Sequence, residues 1–505
     1  VKFHRFLGVI LDRNLSWRRH IDFIISKAQR WGNVIRHFAG VRWGCTERDL
    51  LVLHKTLVRG SLLYSLPVLH GISATSEHKL RCTLARSLRT CLGVPRSAET
   101  RMVIADAGEI PIDVLRRRET IRHYLRLLAH HRRHPLVQKL RRRKNSKLSL
   151  CVTATSGNIP DFTVAPTAPS VAPWTLPSPS LSTHIPGLLG PKSQIPVSVL
   201  KQSTLEMMDT KYRGRTALFT DGSSTSDGSS AAFVIPEESL SCGFRLSHRT
   251  SSTSAELYAI LLSLKSVSKY PPRSWVIYTD SKSALQCVGT MGIRGSLAPV
   301  VVSILTALKV LGEQGHRVTL QWVPGHTGIQ GNEEADLAAA AAHRISRALP
   351  IILSNGDRRS YLSALVSPLA RQQWLHDITQ WSLLHAVDPS LSFRMPGGFP
   401  RSFTTLLRRL RLNVAFTPAF RAKLGYSNTA LCLACRTPAT IPHIIEDCER
   451  YTCERRVLRR QLELLDHRPF SLSKVLGPWS SPEHQCRALR SLFVFMQATG
   501  LLEEL

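Results

Sequence analysis

The chain is short of acid. Its 505 residues hold 35 Asp and Glu against 67 Lys and Arg, a formal net charge of +32. An imbalance of that size implies a polyanionic partner, either a nucleic acid or an anionic membrane surface. A spanning segment is also missing: no uncharged apolar run is long enough to cross a bilayer, which leaves nucleic acid as the favoured partner. No secretory leader is visible, because charges interrupt the apolar patch in VKFHRFLGVILDRNLSW at once. A disulfide framework is absent too. The 11 cysteines are scattered apart from one C-terminal group, which suits a reducing intracellular setting, nucleus or cytoplasm. There is no internal repeat. Val1 is not a methionine, which suggests a piece of a longer chain.

What is present divides into four stretches. Hydrophobic content of 43% is ordinary for globular protein, and 505 residues imply two to four domains. Residues 1–145 begin as a strand and turn (HRFLGVILD, then Asp-Arg-Asn) and continue as helices. Thr46 is a candidate N-cap for a helix with Leu50, Leu51, Leu53, Leu57 and Val58 at its apolar positions. Arginine runs recur there, at Arg116, Arg117 and Arg118, and again at Arg141, Arg142, Arg143 and Lys144. Such runs are most often solvated helix faces; their repetition raises the case for phosphate contact. Residues 146–210 are rich in Pro and Ser and read as a semi-rigid connector, with Trp174 and Leu176 available to pack on a neighbour. Residues 348–505 read as helical and basic, with Arg408, Arg409, Arg411, Arg455, Arg456, Arg459 and Arg460.

Residues 211–347 alternate in the order β-β-β-α-β-α-α-β-α. TALFTD, SSAAFVIPE and SCGFRLSHR should form an antiparallel meander. WVIYTD and RVTLQW follow helices and should add in parallel, giving a mixed five-stranded sheet with flanking helices, an α/β fold. Asn332 is a natural N-cap for NEEADLAAAAAHR. Four of the scarce acids fall on this frame. Asp221 and Asp280 each end an apolar strand, Glu256 opens a helix, and Asp336 lies near the start of another. Taken singly each has an ordinary explanation, since an Asp before Gly is usually a turn residue and an acid in a first helical turn complements the dipole. Gathered at one sheet edge they would need a cation. Carboxylates suit hard ions such as Mg²⁺ or Mn²⁺, and two such ions about 4 Å apart can activate water and stabilise the leaving oxygen of a phosphodiester.

TDGSS, TSAELYAI, YTDSKSAL and WVPGHTGIQGNEEAD resemble, in order, the motifs of type 1 ribonuclease H domains, over the 135 residues from Arg213 to Arg347. The resemblance implies a ribonuclease H-like fold and cleavage of the RNA strand of an RNA·DNA hybrid with two Mg²⁺ ions. It assigns metal ligation to Asp221, Glu256, Asp280 and Asp336, and proton transfer with product release to His326, which sits between Pro324-Gly325 and Thr327-Gly328 in loop-like text. The helix pair between Asp280 and His326 lacks the basic protrusion of some cellular members, so flanking basic regions would supply hybrid binding.

Cys432, Cys435, His443 and Cys448 follow the spacing C-x2-C-x7-H-x4-C. Three thiolates and an imidazole make a plausible tetrahedral Zn²⁺ set, with Cys453 as an alternative to Cys448; the plainer reading is a few reduced cysteines in a helical core. The pattern resembles a gag-type knuckle with a lengthened loop. It is closer to the CCHC segment that ends polyproteins of I- and Jockey-type non-LTR retrotransposons. HRFLGVILDRNLSWRRHIDFIISKAQRW, AGVRWG and LHKTLVRGSLLYSLPVLHG resemble the palm end and thumb of the reverse transcriptases of the same elements, to about residue 130. The polymerase's paired aspartates are not in this text, so an upstream polymerase domain becomes the expected partner. Two other readings stand beside a hybrid nuclease: a non-catalytic nucleic-acid-binding remnant, and a module that positions template for a separate polymerase.

Overall fold

A computed structural model describes residues 3–130, 134–142, 145–155, 175–188, 190, 192–289, 299–352, 354–378 and 382–505. It divides into two compact units, one built from Val1–Thr120 with Leu365–Leu505, the other from Ile121–Ala364. No described helix is long and apolar enough to cross a membrane.

The first unit opens with a hairpin of β1 (Phe3–Phe6) and β2 (Val9–Asp12). Its two-residue turn needs left-handed backbone, supplied at Leu7 and Gly8 with φ of 46° and 82°. The Asp12 carboxylate then accepts from the backbone N–H of Asn14, Ser16 and Trp17, which is how the Asp-Arg-Asn text ends the strand. Helix Arg18–His37 buries Ile21, Ile24, Ile25, Ala28 and Ile35 on one face. The Thr46 hydroxyl accepts from Asp49 N at 3.2 Å and caps helix Glu47–Leu53.

The C-terminal stretch completes this same unit. Leu384, Leu412 and Val414 share a core with Leu88, Leu92 and Ile104. Beneath that core lies a fully buried ion-pair network. Arg408 meets Glu47 at 2.6 Å and Asp106 at 2.8 Å, and Arg411 meets Asp106 and Asp388, each at 2.9 Å. Arg401 donates to the carbonyls of Gly40, Thr90 and Cys91. Several of the arginines that read as a basic surface are therefore internal ties. Arg455 is buried as well, whereas Arg456, Arg459 and Arg460 face solvent. In the N-terminal runs, Arg116 pairs with Glu77 and Arg118 with Glu119. Arg117 and Arg142 are exposed; Arg143 and Lys144 lie outside the described residues, and the Arg141 side chain is likewise not described.

The second unit is built on a sheet of seven described strands, β3 (Ser180–Ser182), β4 (Thr216–Ser224), β5 (Ser229–Ile235), β6 (Leu240–Leu246), β7 (Ser274–Thr279), β8 (Arg317–Trp322) and β9 (Ala348–Leu349), in the spatial order β3-β8-β7-β4-β5-β6-β9. The expected meander and parallel additions are there: β4–β5–β6 run antiparallel, β7 parallel to β4 and β8 parallel to β7. The expected count of five is corrected to seven by β3 and β9, which add in parallel at the two edges. Three and two residues are too short to show an alternation in sequence.

Helices cover both faces. Gly222 lies against the Ser252–Val267 helix and Phe219 against Gly331 of the Gln330–Ala342 helix. Positions 219 and 222 alternate to opposite sides of β4, so the two helices lie on opposite sides of the sheet. With both faces covered, every residue of β5 is buried, as are five of the six in β7. The stretch read as a connector joins this fold where it is described. Ile185 enters the core with Leu176, Leu181 and Leu188 packed beside it, and Val197–Thr210 is a helix burying Leu200, Thr204 and Met207. Trp174 lies outside the described residues. Asn332 is not a cap. The helix begins two residues earlier, at Gln330 with Ile329 as its N-cap, and its Gly331 packs so tightly on Phe219 that a Cβ would come within 2.3 Å of the ring.

Candidate active site

Strand register brings two of the acids together. Thr220 of β4 pairs with Thr279 of β7, so Asp221 and Asp280, each one residue further on, stand side by side. Glu256 arrives from the helix whose N-cap Ser251 accepts from Ser254 N. That helix can approach only because position 222 has no side chain: a Cβ on Gly222 would lie 2.2 Å from Glu256 N. Asp221, Glu256 and Asp280 each offer a carboxylate oxygen within 4.8 Å of the others.

Electrostatics make the gathering costly without a cation. Burial, and then the charges of Asp280 and Asp336, push Asp221 up to about 7. Glu256, 4% exposed, is raised well above its ordinary range by burial and then by Asp221 and Asp280. Burial raises Asp280 as well, against the pull of His326 and Lys192. The Gly222 backbone N–H and the Thr279 hydroxyl, the latter at 3.4 Å, donate to Glu256 and only partly offset this. Three like-charged groups in partial burial with so few donors are a set that a hard divalent ion fits.

The other two predicted residues stand at the rim. Asp336 is 47% exposed and outside the close triad; its Oδ2 lies 3.9 Å from His326 Nδ1. His326 is 82% exposed and has φ of 55°, the left-handed region that a residue with a Cβ seldom adopts. Its turn presses on the triad, since a Cβ on Gly325 would come within 2.1 Å of Asp280 Oδ2. Residues 290–298, part of the stretch read as lacking a basic protrusion, lie outside the described set.

The RNase H family model matches residues 213–344. That stretch is a ribonuclease H domain. The chain is similar to ribonuclease H1 of Mus musculus, 28% identical over 160 residues, which is 28% of this chain and 54% of that protein. The Rattus norvegicus ribonuclease H1 is 28% identical over 144 residues, 25% of this chain and 50% of the relative. A further likeness is to the RNA-directed DNA polymerase from mobile element jockey of Drosophila funebris, 31% identical over 104 residues, 20% of this chain and 11% of that protein. The chain thus spans between about a tenth and a half of the length of these relatives.

Sequence reasoning passed over two contributors to the ribonuclease H site. Gly222 was legible only as a turn glycine. Lys192, whose Nζ donates to Gly325 O at 2.6 Å, gave no signal in its Pro-Lys-Ser text.

In the first unit, Cys432, Cys435, His443 and Cys448 come together with their ligand atoms within 4.8 Å of one another. A tight turn makes the first half: Cys432 N donates to Thr437 O, Arg436 N donates to Cys432 O, and Arg436 takes φ of 55°. A short π-helical turn, His443–Asp447, delivers the second half, with Cys448 N donating to His443 O at 2.7 Å. The Cys448 sulfur lies 3.7 Å from that of Cys432 and 3.9 Å from that of Cys435. Sulfurs bound tetrahedrally at about 2.3 Å from one ion stand about 3.8 Å apart. Thr437 Oγ1 engages His443 Nδ1 at 3.2 Å, while the buried Nε2 has no hydrogen bond among the described residues. That is the atom a metal would use, with Thr437 fixing the ring. Backbone N–H groups, Cys435 first, hold Cys432 down to about 6, and burial pushes Cys448 up to about 11. Cys453 is exposed and outside the set.

Proposed function

We propose that this chain cuts the RNA strand of RNA·DNA hybrids in a reaction that depends on Mg²⁺ or Mn²⁺. One observation carries the reading: Asp221, Glu256 and Asp280 converge within 4.8 Å inside a ribonuclease H domain. Two ions held by these three and Asp336 would activate the attacking water and stabilise the departing 3′ oxygen. The chain's own residues do the rest. Buried Glu256 is locked beside Thr279, so the donor set is preorganised. Exposed His326, its Nδ1 3.9 Å from Asp336 Oδ2, would assist proton transfer and product release at the mouth of the site.

The likeness to the jockey protein supports a place in a retrotransposon polyprotein, downstream of a polymerase domain that would be its partner. Cys432, Cys435, His443 and Cys448 would hold one structural Zn²⁺, and a reducing compartment, nucleus or cytoplasm, would keep those thiols available. The test is an end-labelled RNA·DNA hybrid incubated with the full chain and Mg²⁺. Cleavage of the RNA strand alone, abolished by EDTA and by Asp221→Asn, is the expected result. An intact RNA strand together with salt-sensitive binding would replace this reading with that of a non-catalytic binding remnant.

A further inference from the structure

The turn that carries His326 is held from outside the ribonuclease H match. Within the turn, Thr327 Oγ1 donates to Pro324 O at 2.8 Å, and Gly328 N donates to Glu333 Oε1 at 2.7 Å. Both bonds tie the turn to itself or to the helix that follows. The tie at Gly325 is different. Its carbonyl accepts from Lys192 Nζ at 2.6 Å, a partly buried bond across 133 residues of sequence. A second connector lysine covers the other glycine, since a Cβ on Gly328 would meet Lys201 Nζ at 3.1 Å.

Lys192 is itself firmly founded. Upstream, β3 pairs with β8 and the His184 carbonyl accepts from Gln321 Nε2 at 3.0 Å. Downstream, the Val197–Thr210 helix buries Leu200 and Met207 in the domain. Between these anchors the lysine reaches a backbone carbonyl rather than a carboxylate. A cation drawn only by the acid cluster would go to Asp280. A bond to Gly325 O fixes instead the residue whose Cα abuts Asp280 and whose neighbour is His326.

We propose that Lys192 is a positioning residue: from the connector, it fixes the Pro324–Gly328 turn against Asp280 so that His326 stands over the acid cluster. This rests on the hydrolytic reading above, and it makes the connector a working part of the ribonuclease H unit. A charge-assisted bond is among the stronger ones a side chain makes, so its loss should be felt in the turn's order and in turnover.

The full chain is compared with Lys192→Met, which keeps the aliphatic stem but loses the donor, and with Lys192→Arg, which restores one. Amide hydrogen exchange of residues 325–328 should quicken about tenfold in Lys192→Met and return towards wild type in Lys192→Arg. On a hybrid substrate, Lys192→Met should lower kcat about tenfold with KM within about twofold. In a His326→Ala background the same substitution should cost less than about twofold, because the two act through one turn. Unchanged exchange in Lys192→Met overturns the proposal, and so does a loss confined to KM, which would make Lys192 a contact to the hybrid. Full multiplication of the two effects overturns it as well. If the wild-type chain cuts no hybrid, the functional reading falls, and the exchange measurement still decides the fate of the Lys192 tie.

Discussion

Two clusters of buried acidic side chains are treated in opposite ways. In the first unit Asp106, Glu47 and Asp388 lie against Arg408 and Arg411 at 2.6–2.9 Å. Burial opposes ionisation of Asp106, yet the two guanidinium groups outweigh it and hold the carboxyl below its ordinary range. In the ribonuclease H domain burial, and then the charges of Asp280 and Asp336, raise Asp221 to about 7. Acids matched by fixed cations are struts. Acids gathered without them form a socket for an ion from solution, and the sign of the pKa shift tells the two apart.

The sharpest test is to neutralise one acid of each kind. Asp106→Asn should cost about 3–5 kcal/mol of stability, because it strips a buried pair of guanidinium groups of their shared partner. Urea unfolding reads this as a lower midpoint for the first unit. Asp221→Asn should do the reverse in the metal-free protein, leaving stability equal or higher, while hybrid cleavage drops about 10²- to 10³-fold. If both substitutions destabilise alike, the distinction between strut and socket is lost.

The thiol cluster offers a middle case, in which soft ligands replace hard ones. Zinc content by elemental analysis should fall from about one equivalent to none in Cys435→Ser and stay at about one in Cys453→Ser. The melting temperature should drop by several degrees in the first variant only, at about 2–4 °C per kcal/mol. Zinc retained by Cys435→Ser would remove Cys435 from the ligand set, and a wild-type chain without zinc would return these residues to the plain role of core cysteines.

The smallest effect is a slope. The folded-state pKa of Asp221, about 7, stands above its ordinary 3.8, so between these values the folded protein binds more protons than the unfolded one. Its contribution to stability is full below about pH 4 and is lost as pH rises through 7. In EDTA, wild type should therefore lose more melting temperature between pH 5 and pH 8 than Asp221→Asn does. Equal slopes would mean that Asp221 is not the titrating group.

The ordered acids were legible because strand period and motif order both point to them, though only Asp280 ends its strand: β4 runs past Asp221 to Ser224. Asp221, Glu256 and Asp280 meet as their spacing on β4, the following helix and β7 implied, and Cys432, Cys435, His443 and Cys448 meet as well. What stayed hidden depends on distance in space rather than in sequence. Arg408 and Arg411 look like any basic helix face until Glu47 and Asp106 are seen beneath them. Asn332 reads as a cap by composition, but the helix starts at Gln330 after Ile329, and Asn332 is buried inside its first turn. Lys192 has no local pattern at all, since its partner is a carbonyl oxygen 133 residues away.

The Arg408–Asp106 pair spans 302 residues of chain. At about 5–20 residues per second, a ribosome needs roughly 15–60 s to make that stretch. Throughout that interval Asp106 and Glu47 have emerged and their arginines have not been synthesised. The ribonuclease H domain, encoded wholly in between, can fold during the wait. The first unit cannot, so its half-built N-terminal helices are where a chaperone would be expected to find this protein during translation.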